Sequence, residues 1–187
     1  MKKILIFASG SGTNAENIIQ YFKNRSSGTV VSVFSNNSNA GVLDKAKKLA
    51  VPTIIFSKEE LNSGKVLQKV LGFQPDLIVL AGFLLKFPDD LIETYPNQVI
   101  NIHPALLPKF GGKGMYGMHI HKAVVENKEK ETGITIHYVN ENYDEGAIIF
   151  QEKVTLLETD TPEIVAEKIH VLEQNHFPVV IEQLLQK

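Results

Sequence analysis

The sequence predicts an α/β protein built on a mostly parallel sheet with helices on both faces, followed by an antiparallel extension towards the C-terminus. Three observations support this fold class. Short apolar runs alternate with helical stretches, those runs are apolar on both faces, and two β-type runs follow each other directly in the last third. Strands that are apolar on both faces are typical of a sheet covered on both sides.

The parallel part of the sheet is predicted to contain five strands. They are Lys3–Ala8, Thr29–Ser35, Pro52–Ile55, Leu77–Leu80 and Gln98–Asn101. The predicted helices between them have apolar residues spaced three and four apart, and they are Asn14–Asn24, Ala40–Leu49, Lys58–Leu71 and Pro88–Tyr95. This alternation predicts βαβ units, whose ligands bind beyond the carboxyl ends of the strands.

The last third of the chain is predicted to extend this sheet. A helix over His119–Asn127 precedes two β-type runs, Gly133–Val139 and Ala147–Leu156, which we expect to pair as an antiparallel hairpin. The loop Asn140–Gly146 joins them. A final helix is predicted to begin at Thr161, because threonine followed by proline and glutamate is a common helix start.

Length and composition indicate one globular domain over residues 1–187. Hydrophobic residues make up 43% and charged residues 21%, which argues against disorder. The net charge is −2 and Arg25 is the only arginine, so we expect no nucleic-acid partner. Cysteine is absent and no apolar stretch is long enough to span a membrane. We therefore expect a soluble cytoplasmic protein.

The segment Ser9–Asn14 (SGSGTN) directly follows the first strand and opens the first helix. Small residues let backbone N–H groups approach an anion, and a helix N-terminus attracts negative charge. The segment also imitates a dinucleotide fingerprint, but that fingerprint requires an acidic residue after the second strand, where this chain has Phe34–Asn37. The pattern favours a phosphate-monoester site, with a dinucleotide site or a simple tight turn as alternatives.

Asn101 and His103 stand at the end of the fifth strand, in the string Asn-Ile-His-Pro. Strand alternation points both side chains to the same side of the sheet edge. An amide that donates to an oxyanion, beside an imidazole that moves a proton, could carry out acyl transfer. The alternative is that Asn101 caps a turn and His103 is a core histidine.

Asp144 lies in the loop between the two last strands, where a lone acid is most often a solvated turn residue. It gains interest only if the fold brings it to His103, whose pKa it would raise. A metal site is not expected, because His119 and His121 would diverge on a helix instead of sharing a face.

The segment Gly82–Phe87 follows the fourth strand and contains four large apolar residues. Such a segment can close the hydrophobic core, or it can form the wall of a pocket for a flat ring.

Together these residues resemble one family over nearly the whole chain, the phosphoribosylglycinamide formyltransferases (glycinamide ribonucleotide transformylases). The resemblance rests on five motifs, which are Ser9–Asn14, Val79–Phe83, Ile100–Lys109, His137–Val139 and Asp144–Gly146. It implies a Rossmann-like fold and transfer of a formyl group from the co-substrate 10-formyltetrahydrofolate to the amine of glycinamide ribonucleotide in de novo purine biosynthesis. Only small-molecule partners are implied, and no oligomeric state is predicted.

The resemblance also implies roles for particular residues. Asn101, His103 and Asp144 match the catalytic residues of the family. Its substrate-binding residues correspond to Gly12, Thr13 and Asn14 for the phosphate and to Glu173 for the ribose. Its folate-binding residues correspond to Lys65, Leu84, Leu85, Lys86, Phe87 and Asn101.

Two segments depart from the family pattern. Leu84–Phe87 lacks the arginine that many relatives carry there, and Phe110–Gly117 is longer than the usual turn and contains four glycines. Glycines increase backbone freedom, so we expect this second segment to move and to close over bound ribonucleotide.

Four alternative functions remain at this stage. A 10-formyltetrahydrofolate hydrolase would use the same Asn–His–Asp set, but it normally carries an N-terminal regulatory domain, for which a first strand at Lys3 leaves no room. A methionyl-tRNA formyltransferase would need a basic C-terminal domain. A non-catalytic phosphate-sugar binding module would need the phosphate loop alone, and an NAD-dependent dehydrogenase would need the missing ribose acid.

Overall fold

The computed structural model describes all 187 residues, which form seven strands and seven helices. In chain order these are β1 (Lys2–Phe7), α1 (Thr13–Phe22), β2 (Gly28–Ser35), α2 (Gly41–Lys48), β3 (Thr53–Ile55), α3 (Lys58–Asn62), α4 (Lys65–Phe73), β4 (Leu77–Leu80), α5 (Asp89–Thr94), β5 (Val99–His103), α6 (Met118–Glu126), β6 (Glu131–Tyr138), β7 (Ile148–Thr155) and α7 (Pro162–Leu185). No helix is long and apolar enough to cross a membrane.

All seven strands belong to one sheet, in the order β3-β2-β1-β4-β5-β6-β7. Strands β1 to β5 pair in parallel, whereas β6 pairs antiparallel with both β5 and β7. This arrangement confirms the predicted fold class. Strand β1 lies between β2 and β4, so the chain changes direction across the sheet there, and the loops after β1 and β4 border a crevice.

Two hydrophobic cores cover the two faces of the sheet. Strand β1 shows why, because Ile4 and Ile6 pack into one core while Leu5 and Phe7 pack into the other, and all four are fully buried. The first core also contains buried residues of α1, α2, α6 and α7. The second contains those of α3, α4 and α5. Helices α1, α2, α6 and α7 therefore pack on one face of the sheet, and α3, α4 and α5 pack on the other.

The prediction of one helix over Lys58–Leu71 is wrong, because the structure has two helices there. Gly64 lies between α3 and α4 with a φ of 76°, a left-handed conformation that interrupts a helix. The first helix begins with a capping box, in which Ser57 and Glu60 each bond the other's backbone N–H. Strand β5 also continues two residues beyond its predicted end, to His103.

Candidate active site

One cavity of about 780 Å³ lies at the carboxyl edge of the parallel strands. It is lined by the loops after β1, β4 and β5, by the loop between β6 and β7, and by one face of α7. The predicted site residues that the structure brings together here are Gly12, Thr13, Asn14, Leu84, Leu85, Lys86, Phe87, Asn101, His103, Asp144 and Glu173. Lys65 does not line the cavity, and it lies exposed at the start of α4.

The loop after β1 places the N-terminus of α1 against the cavity. Gly12 precedes the helix with a φ of 74°, and no side chain caps the first turn. A Cβ at Gly12 would lie 2.4 Å from the Cβ of Val42, so only glycine fits there. Ser9 fixes this loop, since its hydroxyl donates to Asn36 Oδ1 at 2.6 Å and accepts from the Leu84 N–H at 3.0 Å. Uncapped N–H groups at a helix start suit an anion.

Asn14 and Glu173 are in direct contact, which links α1 to α7. The Asn14 Nδ2 donates to Glu173 Oε2 at 3.0 Å, and Gln174 Nε2 donates to Asn14 Oδ1 at 3.1 Å. Burial raises the pKa of Glu173 to about 7, although the hydrogen bond from Asn14 opposes the shift. Two predicted substrate-binding residues from opposite ends of the chain therefore form one polar group beside the helix N-terminus.

Asn101 is oriented by a histidine on the neighbouring strand. Asn101 and His137 are directly opposed in the β5–β6 pair, with Asn101 Nδ2 3.2 Å from His137 Nε2. His137 Nδ1 lies 2.8 Å from the Tyr138 carbonyl oxygen. A carbonyl only accepts, so Nδ1 carries a proton, and in that tautomer Nε2 is the nitrogen that accepts from the amide. One N–H of Asn101 is thereby held, and the other is left for a ligand.

The His103 ring is almost fully buried, with one nitrogen hydrogen-bonded and the other facing Asp144. Its Nε2 donates to the Phe110 carbonyl oxygen at 2.8 Å, and its Nδ1 lies 3.5 Å from Asp144 Oδ2. Burial lowers the pKa of His103, whereas the Asp144 carboxylate and the Phe110 carbonyl raise it. Burial dominates, so the pKa lies below its usual value. The prediction that Asp144 raises the His103 pKa is correct for the effect of Asp144 alone, but the pKa as a whole is lowered because burial has the larger effect.

Asp144 lies between the two imidazoles and is not a solvated turn residue. Its Oδ1 is 3.6 Å from His137 Nε2, and its Oδ2 accepts from the Gly112 N–H at 2.9 Å. Burial opposes ionisation of Asp144, but His137, His103 and the Gly112 N–H together hold its pKa below the usual range. Its φ of 57° is left-handed, which aspartate tolerates better than most residues.

The glycine-rich segment Phe110–Gly117 touches this cluster directly. Phe110 supplies the carbonyl bound to His103, and its own φ of 55° is uncommon for a bulky residue. Gly112 supplies the N–H bound to Asp144. Movement of this segment would therefore change the hydrogen bonds of two predicted catalytic residues, and its closure over a ligand stays a prediction.

The segment after β4 is both core and cavity wall. Phe87 is buried, and its ring packs edge-on against Phe7 at 5.1 Å between centroids. Leu84 is about half exposed, and Lys86 forms an exposed ion pair with Asp89 at 3.1 Å. The segment therefore belongs to the core through Phe87 and lines the cavity through Leu84, and binding of a flat ring there stays a prediction.

Three histidines in the cavity, His121, His137 and His170, are not predicted as binding or catalytic residues by the sequence. His170 lies beside Glu173, with 3.8 Å between its Nδ1 and the Glu173 Oε2. His137 belongs to a motif of the resemblance that implies no role for it, and only the strand register places it beside Asn101. His121, considered solely as a metal ligand, is buried and lines the cavity. The described residues contain no group of three or more His, Asp or Glu side chains that could hold a metal ion.

The sequence profile of one family, described as "Formyl transferase", matches residues 2–181. The chain therefore belongs to the formyl transferase family. It is 34% identical to phosphoribosylglycinamide formyltransferase of Bacillus subtilis, over 99% of this chain and 95% of that one. It is also similar to the crystal structure of glycinamide ribonucleotide transformylase 1 from Geobacillus kaustophilus, with a TM-score of 0.90, 32% identity and 99% of each chain covered.

A plant relative is longer than this chain. The chloroplastic phosphoribosylglycinamide formyltransferase of Arabidopsis thaliana is 37% identical over 94% of this chain, but the match spans only 62% of the plant protein.

Proposed function

We propose that this protein transfers the formyl group of 10-formyltetrahydrofolate to the amine of glycinamide ribonucleotide, a step of de novo purine biosynthesis. The observation that carries the proposal is a single cavity that holds both an uncapped helix N-terminus and the buried group of Asn101, His103 and Asp144. Membership of the formyl transferase family and the names of its relatives support the same reaction.

The ribonucleotide binds on the α1–α7 side of the cavity. Its phosphate accepts hydrogen bonds from the backbone N–H groups of Thr13 and Asn14, a position that Gly12 allows because its left-handed backbone starts the helix without a Cβ clash against Val42. Glu173 contacts the ribose hydroxyls, since it is already held at this place by Asn14.

The folate lies against the segment after β4. Leu84, Leu85 and Phe87 give an apolar wall for its flat ring, and Lys86 lies at the same wall. Asn101 lies between the two subsites and contacts the transferred group. The cavity gives no support to a folate contact by Lys65, because that side chain lies outside it.

The reaction begins when the substrate amine attacks the formyl carbon and the carbonyl electrons move onto oxygen. Asn101 donates its free N–H to this oxyanion, while His137 holds the amide in place. The bond from the formyl carbon to N10 of the folate then breaks. The amine nitrogen has lost one proton and N10 has gained one, so the overall charge is conserved.

His103 carries that proton, directly or through a water. Its Nε2 becomes available when the Phe110 carbonyl is displaced by ligand, and Asp144 stabilises the imidazolium through Nδ1. Without this displacement, the Phe110 carbonyl occupies Nε2, and Nδ1 faces Asp144 and not the substrates. Binding and movement of the glycine-rich segment are thereby coupled to proton transfer.

The proposal is tested by incubating the protein with 10-formyltetrahydrofolate, with and without glycinamide ribonucleotide, and following loss of the formyl group. Consumption that requires the ribonucleotide supports the transferase. Consumption in water alone identifies the hydrolase, which would use the same Asn–His–Asp group. Binding of the ribonucleotide with no consumption identifies a phosphate-sugar binding module.

We further propose that residues 1–187 act as one formyltransferase domain in the cytoplasm with small-molecule partners only. The absence of cysteine is compatible with a reducing compartment, and the acidic net charge of −2 is unfavourable for a nucleic-acid partner.

A further inference from the structure

His121 is a buried titratable residue that the proposed reaction does not use. It is 6% exposed and lines the cavity from α6. Its Nδ1 is fully enclosed and has no hydrogen-bond partner, the only buried side-chain nitrogen or oxygen in that situation. Buried polar atoms without partners are rare in folded proteins, so this one calls for an explanation.

The environment of the ring determines which nitrogen can act. Burial lowers the pKa of His121, which keeps the ring neutral with a single proton. A proton on Nδ1 would have no acceptor, whereas Nε2 is the nitrogen that the enclosure leaves open to the cavity. The ring is therefore set to present Nε2–H as a donor to whatever the cavity holds.

The helix α6 fixes which ligand this donor meets. Its buried residues Ile120 and Val124 belong to the first core, together with Ile18 of α1 and Ile169 of α7. Phe87 of the folate segment belongs to the second core, on the other face of the sheet. His121 consequently lies on the ribonucleotide side of the cavity.

Two polar side chains on that side, Asn14 and Glu173, already contact each other. Asn14 is engaged at both ends of its amide, and Glu173 offers carboxyl oxygens. A ribose hydroxyl both donates and accepts, so it can bond a Glu173 oxygen and a donor such as Nε2–H at the same time. We propose that His121 binds the ribonucleotide by donating from Nε2 to an oxygen of its ribose-phosphate part, an inference that rests on the proposed function.

The test exploits the shapes of two amides. A glutamine side chain can place its amide N–H near the position of Nε2, whereas an asparagine reaches only the position of Nδ1. We expect His121→Asn and His121→Leu to raise KM for the ribonucleotide about three- to tenfold, as loss of one neutral hydrogen bond does. KM for the formyl folate and kcat stay unchanged, and His121→Gln stays within about twofold of wild type. Equal ribonucleotide KM in all four proteins, or an equal rise for both substrates, would overturn the inference.

A second measurement does not depend on turnover or on variants that fold. Nitrogen-15 NMR of the histidine rings in the wild-type protein is recorded before and after addition of the ribonucleotide alone. The inference expects His121 to carry its proton on Nε2 and the Nε2 signal to shift on binding. A proton on Nδ1, or an Nε2 signal that ignores bound ribonucleotide, contradicts it. A wild-type protein that turns over the ribonucleotide with an unaltered His121 signal refutes this inference and leaves the proposed function standing. A protein that binds no ribonucleotide refutes both.

Discussion

Asn101 and His137 face each other across the antiparallel β5–β6 pair, and the amide of one donates to the imidazole of the other at 3.2 Å. The Tyr138 carbonyl fixes the tautomer of His137 from the opposite side of its ring. The amide that is proposed to stabilise the oxyanion is thus oriented before any ligand arrives, and an oriented donor is the kind that accelerates acyl transfer.

His137→Leu removes the hydrogen bond that orients the Asn101 amide, so we expect kcat to fall by at least about tenfold. Loss of the oxyanion donor itself costs roughly 10²–10³-fold, which sets the upper limit for this variant. His137→Gln keeps an acceptor near Nε2 and should retain most of the rate. Steady-state kinetics of both variants beside Asn101→Ala check this. A His137→Leu variant that folds and keeps the wild-type kcat would show that Asn101 needs no orienting partner.

Asp144→Asn changes the pH profile. Asp144 raises the pKa of His103 against the lowering effect of burial, so removal of its charge lets that pKa fall further. If His103 acts as an acid, the alkaline limb of the kcat/KM profile moves to lower pH; if it acts as a base, the acidic limb moves to lower pH instead. Glu145→Gln, a neighbouring exposed change, is the control and should move neither limb. An Asp144→Asn enzyme with full rate and both limbs in place would show that Asp144 has no part in the chemistry.

Glu173 makes stability depend on pH. Its pKa is raised from 4.5 to about 7, so the folded state holds a proton that the unfolded state releases. The contribution of the neutral Glu173 carboxyl group to the free energy of unfolding is complete below pH 4.5. It is lost as the pH rises through 7, where this group ionises in the folded state. The loss amounts to about 3 kcal/mol of unfolding free energy. Most of this loss falls between pH 5 and pH 8, so the unfolding free energy measured in urea at these two pH values should differ by about 2.5 kcal/mol less in Glu173→Gln, which cannot ionise, than in the wild type. The same pH dependence in both proteins would mean that Glu173 is ionised at neutral pH.

The two glycines of the first loop should respond differently to alanine. At Gly12 the new Cβ would meet Val42 at 2.4 Å and the backbone is left-handed, whereas at Gly10 it would meet nothing within 4 Å. We expect Gly12→Ala to lower the unfolding free energy by about 1–3 kcal/mol and Gly10→Ala to leave it nearly unchanged. Because the change also moves the N–H groups proposed to bind phosphate, KM for the ribonucleotide should rise more than KM for the folate. Equal stability of the two variants would contradict the described loop geometry.

Much of the fold follows from local sequence, because strand and helix periodicities are local properties. Asn101 and His103 could be placed at one sheet edge by alternation alone. The break at Gly64 was missed because apolar spacing continues across it, although the left-handed conformation that glycine permits is what separates the two helices.

The rest of the site depends on packing between distant segments. His137 reaches Asn101 only through the β5–β6 register, and His121 is buried on α6, a helix that packs against the distant α7. The net pKa of His103 likewise depends on how deeply the fold buries it, which no loop motif reveals. Lys65 shows the reverse case, since the resemblance implies a folate contact for it but Lys65 does not line the cavity.

The most direct measurement follows a formyl group labelled with carbon-13 from the folate to its acceptor by NMR. Wild-type protein is expected to move the label onto the amine of glycinamide ribonucleotide, and Asn101→Ala, folded and able to bind both ligands, should do so about 10²–10³-fold more slowly. Label that appears as free formate at the same rate with and without the ribonucleotide, or transfer that is equally fast in Asn101→Ala, would contradict a formyl transfer carried out by the Asn101, His103 and Asp144 group.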